Sequence, residues 1–84
     1  MRRSITLLTR AGCHLCAETA PRVRRAARML GIAVDVVDVD AAGLGGEYGS
    51  LVPVVLGPGG ERLASGRIGT AALLGRLLRV RFGI

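Results

Sequence analysis

Short apolar runs in this chain alternate with longer stretches of helical period, and the two patterns predict different elements. Runs rich in Val, Ile, Leu and Thr favour strands at residues 4–9, 33–40 and 51–56, because β-branched side chains fit a pleated sheet. A turn at residues 57–60 returns the chain into a fourth strand at residues 61–65. Pro53 cannot donate a hydrogen bond to a sheet, so we expect it at the start of its strand.

Two segments place apolar residues at steps of three and four, which is the period of an amphipathic helix. The first is residues 15–30, and Gly31 supplies its C-terminal stop. The second follows Thr70, which we expect to cap it. The residues predicted to face the sheet from this last helix are Leu73, Leu74, Leu77, Leu78 and Val80, with Arg76 and Arg79 facing water. The glycine-rich residues 41–50 allow at most a short helix, capped by Asp40.

Pro21 falls inside the first predicted helix, where it removes one backbone hydrogen bond and crowds the carbonyl four residues earlier. We therefore expect a kink there. The alternative is a helix that begins only at Pro21, which would leave both cysteines in a loop. On the exposed face, Glu18 lies one turn before Arg22, an orientation that favours an ion pair of about 0.3–0.5 kcal/mol.

The order strand, helix, strand predicts a right-handed parallel crossover and hence an α/β fold. The 84 residues form a single predicted domain, residues 1–84. A chain of this length buries only about 60% of its unfolded surface, which argues against a large substrate pocket. Half of the residues are apolar, which excludes disorder, and Tyr48 and Phe82 are the only aromatic residues. The core must therefore be aliphatic.

Cys13 and Cys16 are the only cysteines, and they stand at C-x-x-C spacing between a predicted strand and a predicted helix. A helix start carries unpaired N–H groups and a partial positive charge, which stabilise a thiolate. We therefore expect a lowered pKa and a nucleophilic role for Cys13, while Cys16, one turn further in, resolves a mixed disulfide. The alternative is an inert pair or a static bridge, whose loop is too short to stabilise the fold much.

The residues between the cysteines leave two interpretations open. As an imidazolium, His14 could lower the pKa of Cys13 or carry a proton, or it could be a solvated side chain at the helix start. Leu15 could present an apolar patch to protein partners, or it could be a core contact.

Aspartates and metal chemistry are the next candidates. Asp35, Asp38 and Asp40 are interpreted as solvated or as caps of the next element, with Asp38 as an alternative proton acceptor for Cys16. Structural Zn²⁺ needs four ligands, and one chain offers two cysteines and one histidine within four positions, so we predict no metal site in a single chain. A dimer could complete a Zn²⁺ or [2Fe–2S] site with exogenous thiols.

The formal net charge is +6, and every basic residue is arginine. Such a charge attracts acidic partners, glutathione-like anions or nucleic acid non-specifically. The sequence has neither the aromatic residues that stack on bases nor a known nucleic-acid-binding motif, so we predict no specific nucleic-acid partner. The basic start precedes too short an apolar run for a signal peptide, and no run approaches a membrane span, so no membrane partner is predicted. A cycling cysteine pair suits a reducing compartment, which predicts a cytoplasmic protein.

These motifs together resemble the thioredoxin fold, and at this length its glutaredoxin-like branch. The resemblance is carried by Cys13-His14-Leu15-Cys16 after a strand, by Pro21, and by Tyr48-Gly49 shortly before Val52-Pro53. It implies a mixed four-stranded sheet with flanking helices, in the order strand-helix-strand-short helix-strand-strand-helix. It also implies a thiol–disulfide oxidoreductase acting on protein disulfides or glutathione mixed disulfides, with an external thiol reductant and no tightly bound cofactor.

The resemblance further implies roles for residues around the cysteines. Val52 and a cis Pro53 would line the site, with the backbone of Val52 pairing with an extended substrate. Arg10 stands where a glutathione-binding lysine is usual and could contact a carboxylate. Gly66 is implied in substrate binding, but it is followed by Arg67 where the family's glutathione-binding members have an acid, so glutathione is only a possible reductant. A dimeric metal or cluster module and a non-catalytic adaptor remain as alternatives.

Overall fold

The computed structural model describes residues 3–83, which form four strands and three helices. Their bounds are β1 Ser4–Thr9, α1 His14–Met29, β2 Ala33–Asp38, α2 Gly45–Tyr48, β3 Val54–Leu56, β4 Arg62–Ser65 and α3 Thr70–Phe82. This is the predicted order of elements. Among the described residues, no helix is long and apolar enough to cross a membrane.

The strands form one mixed four-stranded sheet in the order β2-β1-β3-β4. β1 runs parallel to β2, from the Ser4–Ala33 pair to the Thr9–Asp38 pair. β3 is antiparallel to both β1 and β4, and the β3–β4 register shifts between Val55 and Leu56. The parallel β1-α1-β2 unit followed by an antiparallel hairpin confirms the predicted α/β, thioredoxin-like architecture.

The two faces of the sheet are covered unequally. Consecutive strand residues point to opposite faces, so Leu7 and Leu8 belong to different hydrophobic clusters. Leu7 joins the larger cluster beneath α1 and α3, which includes Val23 and Leu77. On the other face Leu8 packs in a small cluster beneath α2, whose buried members are Leu8, Val39 and Val54. The core is aliphatic, as the composition predicted.

Helix α1 starts at His14 and continues through Pro21 to Met29, so the alternative start at Pro21 is wrong. The kink expected at Pro21 stays a prediction. Gly31 follows the helix with a φ of 69°, a conformation that glycine adopts at little cost, and it is the predicted stop. The expected partner of Glu18 is wrong: Arg22 instead donates to the carbonyl of Ile68 at 2.7 Å and to Oγ1 of Thr70 at 3.1 Å.

The end of β2 corrects two predictions. The strand stops at Asp38 rather than at residue 40, because Asp38 Oδ1 accepts hydrogen bonds from the amides of Asp40 and Ala41 at 2.9 and 3.2 Å and starts a turn. Asp38 thus acts as a cap, the favoured interpretation of these aspartates. The short helix α2 has Leu44 rather than Asp40 at its N-cap.

β3 and α3 also differ from the pattern in detail. β3 begins at Val54, after Pro53, so residues 51–53 lie outside the strand. The N-cap of α3 is Gly69, and Thr70 is the first helical residue. Leu78 is 40% exposed, whereas Leu73, Leu77 and Val80 are buried. The assignment of Leu78 to the sheet-facing side was wrong because it lies about 100° around the helix from Leu77.

Candidate active site

The register of the sheet gathers the candidate residues at one edge, where β1 ends. Thr9 is paired with Asp38, and the Thr9 carbonyl accepts from Val39 N–H at 2.9 Å. On the other side Leu8 is paired with Val54, so Pro53 enters β3 at the same edge. The chain leaving β1 reaches Cys13 four residues after Thr9, so the start of α1 lies near this edge.

A tight turn delivers Cys13 to the start of α1. Gly12 has a φ of 77°, which an L side chain rarely adopts, and Cys13 N–H donates to the Arg10 carbonyl at 3.2 Å. Cys13 is the N-cap residue of α1, and its Sγ accepts from the Cys16 amide at 3.1 Å. The sulfur therefore lies where the unpaired N–H groups of the helix converge.

The two cysteines form a disulfide, with their Cα atoms 5.2 Å apart. Cys16 is only 3% exposed, whereas Cys13 is half-buried and remains open to solvent. Within the described part of the chain, the first turn of α1 carries no acidic residue that would oppose a thiolate. The outer sulfur is thus accessible and the inner one is shielded.

The residues between the cysteines differ in exposure. The side chain of His14 is 90% exposed, and its Nε2 lies 3.2 Å from Glu18 Oε1 one turn along α1. This geometry agrees with a solvated position at the helix start. Leu15 is half-buried and so still presents part of its side chain beside Cys16.

Arg10 makes its contacts within the protein. Its Nε and Nη2 donate to the two carboxylate oxygens of Asp40 at 2.9 and 3.1 Å, and its Nη1 donates to the Gly49 carbonyl at 3.2 Å. The hydrogen bond with Asp40, followed by the charge of Asp40, raises the pKa of Arg10, so this side chain stays cationic. A substrate carboxylate that bound Arg10 would therefore have to compete with the carboxylate of Asp40.

The segment before β3 brings the remaining predicted residues together. The Val52–Pro53 bond is cis, as the resemblance implied. Pro53 is buried, and its carbonyl accepts from the Gly66 amide at 2.8 Å, which joins these two predicted residues. Val52 is half-buried, and within residues 3–83 its own amide and carbonyl make no backbone hydrogen bond.

Comparison with known proteins places the chain in a family. The profile of the Glutaredoxin-like domain (DUF836) matches residues 4–77, which is most of the chain. The chain belongs to the glutaredoxin-like family. An uncharacterized protein of Mycobacterium tuberculosis, Rv0508, is 39% identical over 66 residues, which cover 71% of this chain and 68% of that protein.

Solved structures agree with this assignment. The glutaredoxin-like chain superposes on the structural genomics target XcR50 from X. campestris with a TM-score of 0.72 at 30% identity, covering 87% of this chain and 93% of that one. Thioredoxin 1 of Thermosipho africanus gives a TM-score of 0.69 at 16% identity over 90% of this chain and 91% of that one. The likeness to thioredoxin shows the shared fold alone.

Metal ligands and a proton acceptor for Cys16 were the other candidates among the polar side chains of this glutaredoxin-like chain. Within the described residues, no group of three or more His, Cys, Asp or Glu side chains is arranged to hold a metal ion. The proposed proton acceptor Asp38 uses its Oδ1 for the turn after β2.

Sequence reasoning missed the contacts that surround Arg10. Asp40 was expected to cap a helix and Gly49 appeared only as part of a motif, yet both are bound by the Arg10 side chain. The separations in sequence are 30 and 39 residues. A signal was present in the four glycines within residues 43–49 that follow Asp40, since glycines commonly mark a close approach of another group.

Proposed function

We propose that this protein is a thiol–disulfide oxidoreductase that uses Cys13 as the nucleophile and Cys16 as the resolving thiol. The observation that supports this most strongly is the unequal placement of the two sulfurs at one helix start. Cys13 is accessible and its sulfur accepts a helix amide, whereas Cys16 is buried behind it. This arrangement suits attack on an external disulfide followed by internal resolution.

The exchange balances over two steps. The Cys13 thiolate attacks one sulfur of a substrate disulfide, forming a mixed disulfide and releasing the first substrate thiolate, which takes a proton from solvent. The Cys16 thiol loses its proton and attacks Cys13 Sγ, forming the Cys13–Cys16 disulfide and releasing the second substrate thiol. Two electrons pass to the substrate, and an external thiol reductant returns two electrons to the protein.

The cis Pro53 segment supports a way to hold the substrate. The amide and carbonyl of Val52 have no backbone partner within residues 3–83, so an extended peptide can pair with them as an added strand. Such pairing recognises the substrate backbone and requires no particular side chain. Protein disulfides are therefore proposed as substrates, and glutathione mixed disulfides are proposed with them.

Alkylation of the reduced protein across a range of pH tests the nucleophile. We expect the wild type to react through Cys13 with a midpoint below that of an ordinary free thiol, and the Cys13→Ser variant to react slowly at neutral pH. Cys16→Ser should accumulate a mixed disulfide with a peptide substrate, because the resolving thiol is missing. A Cys13→Ser variant that reacts as fast as the wild type, or a Cys16→Ser variant that traps nothing, would show that the nucleophile is wrongly assigned.

A further inference from the structure

We propose that Arg10 is a positioning residue that fixes the substrate-binding segment relative to the nucleophile, and that it acts through Asp40 and Gly49 rather than by contacting substrate. This inference rests on the proposed function, because it concerns how that site is assembled. We call the Arg10 side chain with the Asp40 carboxylate and the Gly49 carbonyl the arginine clamp.

Arg10 contacts both halves of the site at once. Its backbone carbonyl accepts the amide of Cys13 at 3.2 Å, which ties it to the nucleophile loop. Its side chain donates to Gly49 at 3.2 Å and to both oxygens of Asp40. A planar guanidinium can make these bonds together because its donors point in fixed, divergent directions. One residue thus links the loop before α1 to the segment before β3.

Two hydrogen bonds carry this link from Gly49 toward Val52. The Gly49 amide donates to the Gly45 carbonyl at 2.9 Å, and the Leu51 amide donates to the Tyr48 carbonyl at 2.9 Å. Residues 45–51 therefore form a compact turn that leads directly into Val52. Leu51 and Val52 also pack against the small cluster around Leu8. A shift of the turn would move the backbone that the substrate is proposed to pair with.

The glycines around the clamp provide a second, independent observation. A Cβ built on Gly45 would lie 2.8 Å from Asp40 Oδ1. One on Gly49 would overlap the Gly45 carbonyl oxygen and would lie 3.0 Å from Arg10 Nη1. The segment therefore leaves space for the carboxylate at one glycine and for the guanidinium at the other. At Gly46, by contrast, a Cβ would meet nothing within 4 Å.

Peptides of different charge distinguish a positioning role of Arg10 from direct binding of the substrate by Arg10. The test compares Arg10→Ala, Asp40→Ala and Gly45→Ala on two peptides that carry an intramolecular disulfide, one acidic and one neutral, and on the small neutral hydroxyethyl disulfide. If the clamp positions Val52, each variant should raise KM for both peptides by about fivefold, with kcat and the rate on the small disulfide unchanged. Arg10→Lys should restore only part of the loss, and Gly46→Ala, the matched control, should behave as wild type.

The opposite outcome is equally specific. If Arg10→Ala weakened only the acidic peptide, while Asp40→Ala left it unchanged or bound it more tightly, Arg10 would be a substrate ligand and the positioning role would be wrong. Equal losses on all three disulfides would also overturn it, because they would indicate damage to the cysteines themselves.

Amide hydrogen exchange tests the arginine clamp without depending on oxidoreductase activity. If wild type reduced none of the three disulfides, the proposed function would fail, but the clamp could still be examined. Arg10→Ala and Gly45→Ala should speed exchange of the Gly49 and Leu51 amides several-fold, whereas Gly46→Ala should not. Unchanged exchange in the first two variants would show that the clamp does not hold the segment.

Discussion

Two adjacent leucines in α3 provide a matched pair for testing the packing of the larger cluster. Leu77 is 0% exposed and Leu78 is 40% exposed. Leu77→Ala removes fully buried carbons and leaves a cavity, which costs about 3–4 kcal/mol, whereas Leu78→Ala should cost about 1 kcal/mol. Both changes have the same effect on helix propensity, so the difference of about 2–3 kcal/mol reports packing alone.

Urea unfolding followed by circular dichroism measures both variants. In thermal unfolding of a domain of this size, the two changes should lower Tm by about 15–20 °C and about 5 °C, respectively. If Leu77→Ala is too unstable to fold, Leu77→Met, which conserves volume, should cost less than about 1.5 kcal/mol and keeps the comparison possible. Equal losses at the two positions, or a larger loss at Leu78, would refute this orientation of α3.

Three further predictions concern side chains of α1. Arg22→Ala removes the hydrogen bonds to Ile68 and Thr70 and should lower the free energy of unfolding, measured in urea, by about 1–2 kcal/mol. Arg24→Ala, the control at an exposed position, should change it by less than about 0.5 kcal/mol. Thr19 is buried and its hydroxyl has no hydrogen-bond partner within residues 3–83, so Thr19→Val should raise Tm. A Tm below that of wild type would show that the buried hydroxyl does not destabilise the fold. Glu18→Gln breaks only an exposed pair with His14 and should leave Tm unchanged at physiological salt; a fall of several degrees would show that this pair matters.

The fold could be predicted from the sequence because its local signals agree. The period change between β1 and α1, the β-branched run of β2 and the Pro53 restriction before β3 all depend on neighbouring residues. Parallel pairing of β1 with β2 then follows from the strand-helix-strand order, because consecutive elements are usually adjacent. The same reasoning placed Cys13 and Cys16 at the start of α1, where the structure has them.

The errors lie where long-range contacts compete with local preference. Asp40 is a good helix cap by composition, but Arg10 binds its carboxylate from 30 residues away in sequence. Arg22 had a favourable partner one turn back, yet it turns to the start of α3. Leu78 is apolar like the buried leucines of α3, but it lies about 100° around the helix from Leu77 and is 40% exposed. No local pattern records which of two available partners is nearer in the folded chain.

The small cluster beneath α2 makes the protein unequally tolerant of mutation along that face of the sheet. The buried members of that cluster among residues 3–83 are Leu8, Val39 and Val54, all near the edge where the cysteines lie. Further along the same face, Thr6 and Asp35 are paired neighbours that stay in contact with water. Substitutions at that far end disturb little packing, so the surface there can diversify while the cysteines at the other end are preserved.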